Sequence, residues 1–297
     1  MNAEMAHRVR SGEGFIAALD QSGGSTPAAL RAYGICESAY GNEDRMFALM
    51  DAMRVRVMAA PAFNKTRIVG AILFERSLND RTMGMSIPTY LWEQRGIVPF
   101  LKVDKGLGAE TDGVHLLRRI SGLKTLLDRA IKLKIYGTKM RSVIRLASPS
   151  GISAIVAQQF ALGRLIARHG LLPIIEPEIL VASPEKAAAE AILVSELERS
   201  LDLLPDDNNV MLKVTLPEVA DLYAGLAGHP RVVRLLALSG SYSRAEACVR
   251  LAQNHHMIAS FSRALLDGLK YAMNDVAFDT ALAASIDEIF RASTVKR

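Results

Sequence analysis

Val210-Met-Leu-Lys-Val-Thr-Leu-Pro217 is an apolar run rich in β-forming residues, with a single charge inside it. Such a run reads as a buried strand. The charge is Lys213. Lysine is among the residues least often found fully buried, because desolvation disfavours the ammonium. Two readings follow. Lys213 snorkels to solvent from a strand edge, or it is held as a free amine, the nucleophile that forms Schiff bases with carbonyl compounds. The segments on either side decide between them.

Downstream, Val232–Leu238 is a strand ending in Ser239-Gly240, and Met257-Ile-Ala-Ser260 is another. Upstream, Leu171–Ile175 runs into Glu176-Pro-Glu178, and Lys139–Leu146, Val98–Asp104, Ile68–Phe74 and Phe15–Leu19 have the same apolar character. Between them lie segments with helical spacing: 43–60 (Met46, Leu49, Met50, Met53, Val57), 86–95, about 114–134, 152–169, 184–204 with Ser183 as its cap, and 218–227. Further helices are expected at 243–253, 263–273 and 279–292. Ser243 with Glu246 makes a capping box for the first of these. Residues 1–14 read as a polar lead and 20–26 as a tight polar loop. Strands alternating with helices predict an α/β fold with a parallel sheet. Eight strands in 297 residues fit a closed TIM (β/α)8 barrel, one domain over 1–297. An open doubly wound sheet is the alternative, but the first strand lacks the G-x-G-x-x-G turn.

Half of the residues are hydrophobic, enough for a sizeable core. The formal net charge of +5 is mild, and Lys and Arg are dispersed. That argues against a nucleic-acid partner and allows anionic small molecules. Cys36 and Cys248 have neither metal nor disulfide spacing, which suits a reducing, cytoplasmic setting. Residues 1–11 carry no apolar leader, and no run approaches the ~18 apolar residues of a membrane span. No membrane partner is expected.

The polar residues of the strands are not scattered. Asp20, Lys102, Asp104, Lys139, Arg141, Glu176, Glu178, Lys213, Ser239, Ser260 and Arg263 fall in or just after seven of the eight strands. A barrel carries its active residues at the C-terminal ends of its strands. One charged residue at a strand end has a bland explanation as a solvated edge, but a ring of them converging on one mouth does not. Its chemistry follows from the residue types. An amine adds to a ketone to give an iminium, an electron sink that permits C–C cleavage without a metal. Carboxylates move the protons. Hydroxyls, glycine amides and an arginine near strands seven and eight suit phosphate.

Eight motifs in order carry a family resemblance. They are Ala18-Leu-Asp-Gln-Ser-Gly-Gly-Ser-Thr26, Ala71-Ile-Leu-Phe-Glu75, Val98-Pro-Phe-Leu-Lys-Val-Asp-Lys-Gly106, Gly137-Thr-Lys-Met-Arg-Ser142, Pro173-Ile-Ile-Glu-Pro-Glu178, Leu212-Lys213, Ala237-Leu-Ser-Gly240 and Ile258-Ala-Ser-Phe-Ser-Arg263. With these the chain resembles the class I fructose-bisphosphate aldolases of the shorter bacterial type. The resemblance implies a lyase of glycolysis and gluconeogenesis that cleaves fructose 1,6-bisphosphate to dihydroxyacetone phosphate and glyceraldehyde 3-phosphate, with no cofactor and no metal. It implies Lys213 as the Schiff-base lysine, Glu176 as the acid/base of carbinolamine dehydration, and Asp20 as the base for the C4 hydroxyl. Lys139 and Lys102 would be site cations and Glu178 a member of the supporting charge network. Ser239, Gly240, Ser260 and Arg263 would hold the C1 phosphate, and Ser22, Ser25 and Arg141 lie near the C6 phosphate. A homo-oligomer is left open.

Three departures from the family stand out. Ser241 replaces the family's second glycine, which would strain a position needing positive φ. Ala28 stands where a lysine is common. The end, Thr-Val-Lys-Arg297, has no terminal tyrosine. Other conspicuous residues have bland readings: His255-His256 a solvated turn, Cys36 inert, Cys248 and Trp92 packing, the methionines of 46–58 core filler. Glu75 is divided between a site role and a salt bridge. The competing functions are a transaldolase, a deoxyribose-phosphate aldolase, and a non-catalytic barrel scaffold.

Overall fold

The structure is a computed structural model that describes residues 2–297, the side chain of Ser25 excepted. The stretch around Lys213 is a strand and sits among seven others. In chain order they are β1 (Phe15–Leu19), β2 (Ile68–Leu73), β3 (Val98–Lys102), β4 (Gly137–Ile144), β5 (Leu172–Ile179), β6 (Val210–Thr215), β7 (Val232–Leu238) and β8 (Met257–Ala259). Each pairs in parallel with the next. Ala18 N donates to Phe261 O at 3.1 Å, which joins β1 to the segment just past β8 and closes the ring. This is the expected TIM (β/α)8 barrel, not an open sheet.

Both faces of a barrel strand are covered, so its sequence is a continuous apolar run rather than an alternating one. Alternation shows instead in where each side chain points. Val210, Leu212 and Val214 face the surrounding helices, while Met211 belongs to the barrel interior. Ile16, Ala18, Val98, Phe100, Leu172, Ile174, Leu236 and Ile258 fill the same interior. The Phe100 ring needs two bare neighbours. A Cβ at Gly70 would meet it at 2.9 Å, and one at Gly137 at 2.8 Å.

Several expectations are corrected. The polar lead contains a helix, α1 (Ala3–Ser11), capped by Asn2, whose side chain accepts from Met5 N at 3.1 Å. Met5 and Val9, four residues apart on one face, join the inner core and plug the barrel from below. A second helix, α2 (Ser25–Ala32), starts inside the expected loop, and α3 (Glu43–Ala59) follows as expected. The segment from Val114 does not begin as a helix. Leu107–Thr111 and Val114–Leu117 form a hairpin laid antiparallel against β4. Its turn is Asp112-Gly113, both at positive φ, a tight hairpin signal. The helix there is only α5 (Leu123–Lys132), after α4 (Ile87–Glu93). Next come α6 (Pro149–Arg168) and α7 (Lys186–Asp202). Ser183 does not cap α7; its hydroxyl donates to Arg145 O at 2.6 Å.

The expected 218–227 helix shrinks to α8 (Ala224–Gly228), because Asp221 takes φ 58° and interrupts it. α9 (Arg244–Ala252) has the Ser243 cap, which accepts from Glu246 N at 3.3 Å. α10 is short (Arg263–Leu266), stopped before Gly268 at φ 84°. α11 (Asp275–Thr294) closes the chain and is longer than expected, since Asn274 caps it at Ala277 N, 2.9 Å. No helix among the described residues is long and apolar enough to cross a membrane.

Candidate active site

Along five of the strands the inward face changes character once. Near the N-terminal end it is apolar, and at the C-terminal end it turns polar without changing direction. Met211 is followed two residues on by Lys213, Ile174 by Glu176, and Phe100 by Lys102; beyond Ala18 comes Asp20, and beyond Ile258 comes Ser260. A single period of two therefore builds an apolar floor with a charged layer above it.

Three ion pairs at the centre of that layer link four side chains. Lys139 Nζ donates to Asp20 Oδ2 at 2.7 Å and lies 2.7 Å from Glu176 Oε2. Glu176 Oε1 is 3.0 Å from Lys213 Nζ. Asp20 is 7% exposed and the other three are each 3% exposed, so these charges interact in a poorly solvated space. Burial alone would raise the Asp20 carboxyl, but Lys139, Lys213 and Lys102 overcome it and hold it well below the usual carboxylate range. Glu176 is likewise held down against its burial by Lys139 and Lys213. Lys139 is pushed up despite burial, because Asp20, Glu176 and Asp104 surround it. The backbone N–H of Glu176 is fixed by Gln159 Oε1 at 2.9 Å, reaching in from α6.

A second layer flanks the first. Lys102 Nζ donates to Asp104 Oδ1 at 2.5 Å, and Asp104 Oδ2 accepts from Arg141 N at 3.2 Å. Arg141 forms a salt bridge to Glu178, which with Asp104 and Glu176 raises its guanidinium against desolvation. These groups open into a cavity of about 1220 Å³. Ser239, Gly240, Ser260 and Arg263 line it on the β7–β8 side, and Ser22 on the β1 side. The buried Ser260 hydroxyl has no hydrogen-bond partner among the described residues. Arg263 is exposed at the rim. Gly240 takes φ 56°, and a Cβ there would strike Val181 at 2.5 Å. Ser241 does not take a positive φ, so the strain its serine would bring does not arise. The Ser25 side chain lies outside the described part of the structure. The structure therefore gathers around one cavity twelve of the thirteen residues to which the resemblance gives a place in the site.

Beyond these, the sequence leaves Glu75 open, and further residues of the site carry no sequence signal. Glu75 pairs with Lys105 at the rim, the salt bridge considered for it. Gln21, Arg54 and Gln159 support the charged layer from behind. Elsewhere, His255 pairs with Asp221, Nδ1 to Oδ2 at 2.6 Å. Cys248 is buried on α9, and burial pushes its thiol up to about 12.

Fold and site define the class: an enzyme of the (β/α)8 type whose charged residues converge at the C-terminal mouth, with a buried lysine at their centre. The family model described as fructose-bisphosphate aldolase class-I matches residues 3–234. A fructose-bisphosphate aldolase class 1 of Porphyromonas gingivalis is 49% identical over 293 residues, covering 99% of each chain. One from Synechocystis is 51% identical over 292 residues, covering 98% of this chain and 97% of its own. Among solved structures, fructose-bisphosphate aldolase from Plasmodium falciparum superposes with a TM-score of 0.79 at 19% identity, covering 97% of this chain and 92% of its own, a likeness of fold. The chain belongs to the class I fructose-bisphosphate aldolases, and it is a lyase.

Proposed function

We propose that the whole chain acts as one barrel domain that reversibly cleaves fructose 1,6-bisphosphate through a Schiff base on Lys213. The observation that carries this reading is the chain of contacts Lys213–Glu176–Lys139–Asp20 over the apolar floor. Glu176 Oε1, 3.0 Å away and ionised in the resting site, takes a proton from the Lys213 ammonium, and the freed amine attacks the C2 ketone. A second nitrogen proton moves to the C2 oxygen to give the carbinolamine. Glu176 then gives its proton to the C2 hydroxyl, water leaves, and the iminium forms with Glu176 ionised again. Asp20, also held ionised, takes the C4 hydroxyl proton. The C3–C4 bond breaks, its electron pair flows into the iminium, and glyceraldehyde 3-phosphate departs. Protonation of the enamine at C3 and hydrolysis then release dihydroxyacetone phosphate and restore Lys213.

Lys139 serves two carboxylates at once. It keeps Asp20 in its base form and neutralises Glu176 before proton uptake. The phosphates would occupy opposite rims. Ser239, Gly240, Ser260 and Arg263 would take the C1 group by a fork of guanidinium and neutral donors. Ser22, Ser25 and Arg141 would lie at the C6 end, with Lys102 beside them and Glu178 orienting Arg141. A cytoplasmic place in glycolysis and gluconeogenesis belongs to the same proposal.

The test is borohydride reduction in the presence of dihydroxyacetone phosphate. One adduct is expected, on the peptide bearing Lys213. A Lys213→Met protein that still forms it would sink the assignment.

A further inference from the structure

Arg54 is a buried cation that the chemistry above does not use. It rises from α3, is 1% exposed, and reaches the back of the loop that follows β1. Its Nη1 donates to Asp51 Oδ1 at 2.6 Å, one turn away, and its Nη2 donates to the backbone carbonyl of Gln21. The guanidinium carbon lies 5.6 Å from the centre of the Phe74 ring. Taking a guanidinium out of water is costly even when it is paired. The fold gains one carbonyl contact from it, and that carbonyl belongs to the residue immediately after Asp20.

Gln21 is itself tied down. Its side-chain amide donates to Ala18 O at 3.2 Å and to Ser262 Oγ at 2.6 Å. Ser262 lies between Ser260 and Arg263, in the loop assigned to the C1 phosphate. The seam between β1 and β8 is closed without this bond, by Ala18 N and Phe261 O. The amide therefore adds a tie between two loops rather than completing the barrel. Asp20 stands between two fixed neighbours: Leu19, held in register with Leu73, and Gln21, held at its carbonyl and at its side chain.

We propose that Arg54 and Gln21 are positioning residues that hold Asp20 in place for the C4 hydroxyl and link its loop to the C1-phosphate loop. The proposal rests on the Asp20 role given above. It makes a distinction that a general structural role would not. Cleavage of the hexose bisphosphate needs Asp20. Formation of the Lys213 adduct with dihydroxyacetone phosphate, and exchange of that compound's C3 proton with solvent, do not, because the triose has no C4 hydroxyl.

The experiment compares Gln21→Met, Arg54→Met and Arg54→Lys with the wild type and with Asp20→Asn. It reads kcat and KM for fructose 1,6-bisphosphate, borohydride-trapped adduct, and deuterium exchange into dihydroxyacetone phosphate. Gln21→Met and Arg54→Met are expected to lose roughly 10–100-fold in cleavage kcat, the scale of a sub-ångström misplacement. Adduct and exchange at saturating dihydroxyacetone phosphate, where a loosened C1-phosphate loop no longer limits them, should stay within about twofold of wild type, since neither needs the C4 geometry. Arg54→Lys, which keeps a donor for the Gln21 carbonyl, should recover most of the cleavage. Gln21→Met changes no charge and carries the test if Arg54→Met does not fold. Equal losses in cleavage, adduct and exchange, or unchanged cleavage in Gln21→Met, would overturn the proposal. Normal cleavage by Asp20→Asn would overturn it differently, by removing the role that the brace serves.

Discussion

Replacing Lys139 with methionine removes the ammonium that Asp20 and Glu176 share, 2.7 Å from each. Methionine keeps the apolar stem, so the loss is chiefly one of charge. Two buried carboxylates remain, with Lys213 beside Glu176 alone at 3.0 Å. Removing one partner of a buried ion pair costs about 3–5 kcal/mol. An unfolding entropy of about 2.1 cal/mol/K per residue over 297 residues gives roughly 0.6 kcal/mol/K. The melting temperature at neutral pH should therefore fall by about 5–8 °C.

The deficit has a predictable pH dependence. Asp20 and Glu176 have folded pKa values below their unfolded ones. Their contribution is present above the unfolded values, near pH ~4, and is lost as pH falls through the folded ones. Lys139 is shifted upward, so its contribution is present below ~10.4 and lost above it. The difference between wild type and Lys139→Met should be widest from about pH 5 to 10 and should narrow in acid. Thermal melts by circular dichroism at several pH values measure it, with cleavage assayed alongside. Turnover should fall by roughly 10²–10⁴, as for loss of one acid–base partner. A variant melting within about 1 °C of wild type at pH 7 would show that the shared ammonium does not offset the carboxylates' burial.

Glu176→Gln should slow formation of the trapped adduct as well as turnover, whereas Asp20→Asn should form adduct and fail to cleave, each by roughly 10²–10⁴-fold; the opposite pattern in single-turnover trapping reverses the two roles. Arg263→Ala should raise KM for fructose 1,6-bisphosphate and fructose 1-phosphate alike. Ala28→Lys should lower KM for the bisphosphate alone, and an equal shift for both substrates would place the loop after β1 away from the C6 end. Activity should survive EDTA, and loss on chelation with recovery on zinc would refute the metal-free route. Away from the mouth, Lys186 is buried among Glu190, Leu216 O and Glu218. Glu190→Gln leaves that cation undercompensated and should cost about 3 kcal/mol in urea unfolding with an unchanged m value, pinning the effect on the native pair.

The barrel was legible because each strand buries both faces and so writes a continuous apolar run. The charged layer was legible because it continues the inward face of the same strands. Lys213 by itself reads either as a snorkelling lysine or as a nucleophile, and the polar residues at the ends of the other strands decide between the two. The supporting residues were not legible, since their partners are distant in sequence. Gln159 meets Glu176 17 positions away, Arg54 meets Gln21 33 away, and Gln21 meets Ser262 241 away. No local pattern marks a glutamine or an arginine for such a contact. α1 was missed because Met5 and Val9 are nearly its whole apolar face, too few to announce a period. The hairpin before α5 carries a signal, Asp112-Gly113, but it stands just ahead of the stretch whose amphipathic spacing predicts a helix from about residue 114.

The plug made by α1 also bears on traffic through the enzyme. With Met5 and Val9 seated beneath the strands, the charged layer opens into the cavity at the opposite end of the barrel. On the proposed mechanism both fragments of a cleaved sugar leave by that doorway, and the triose held by Lys213 lies next to the apolar floor, deeper than its sibling. An ordered departure then needs no gate, because the aldehyde leaves first from the outer position while its partner is still tethered. In the synthetic direction the same queue runs backwards: the ketone must be seated on the lysine before the aldehyde enters, and an aldehyde arriving first stands in the way.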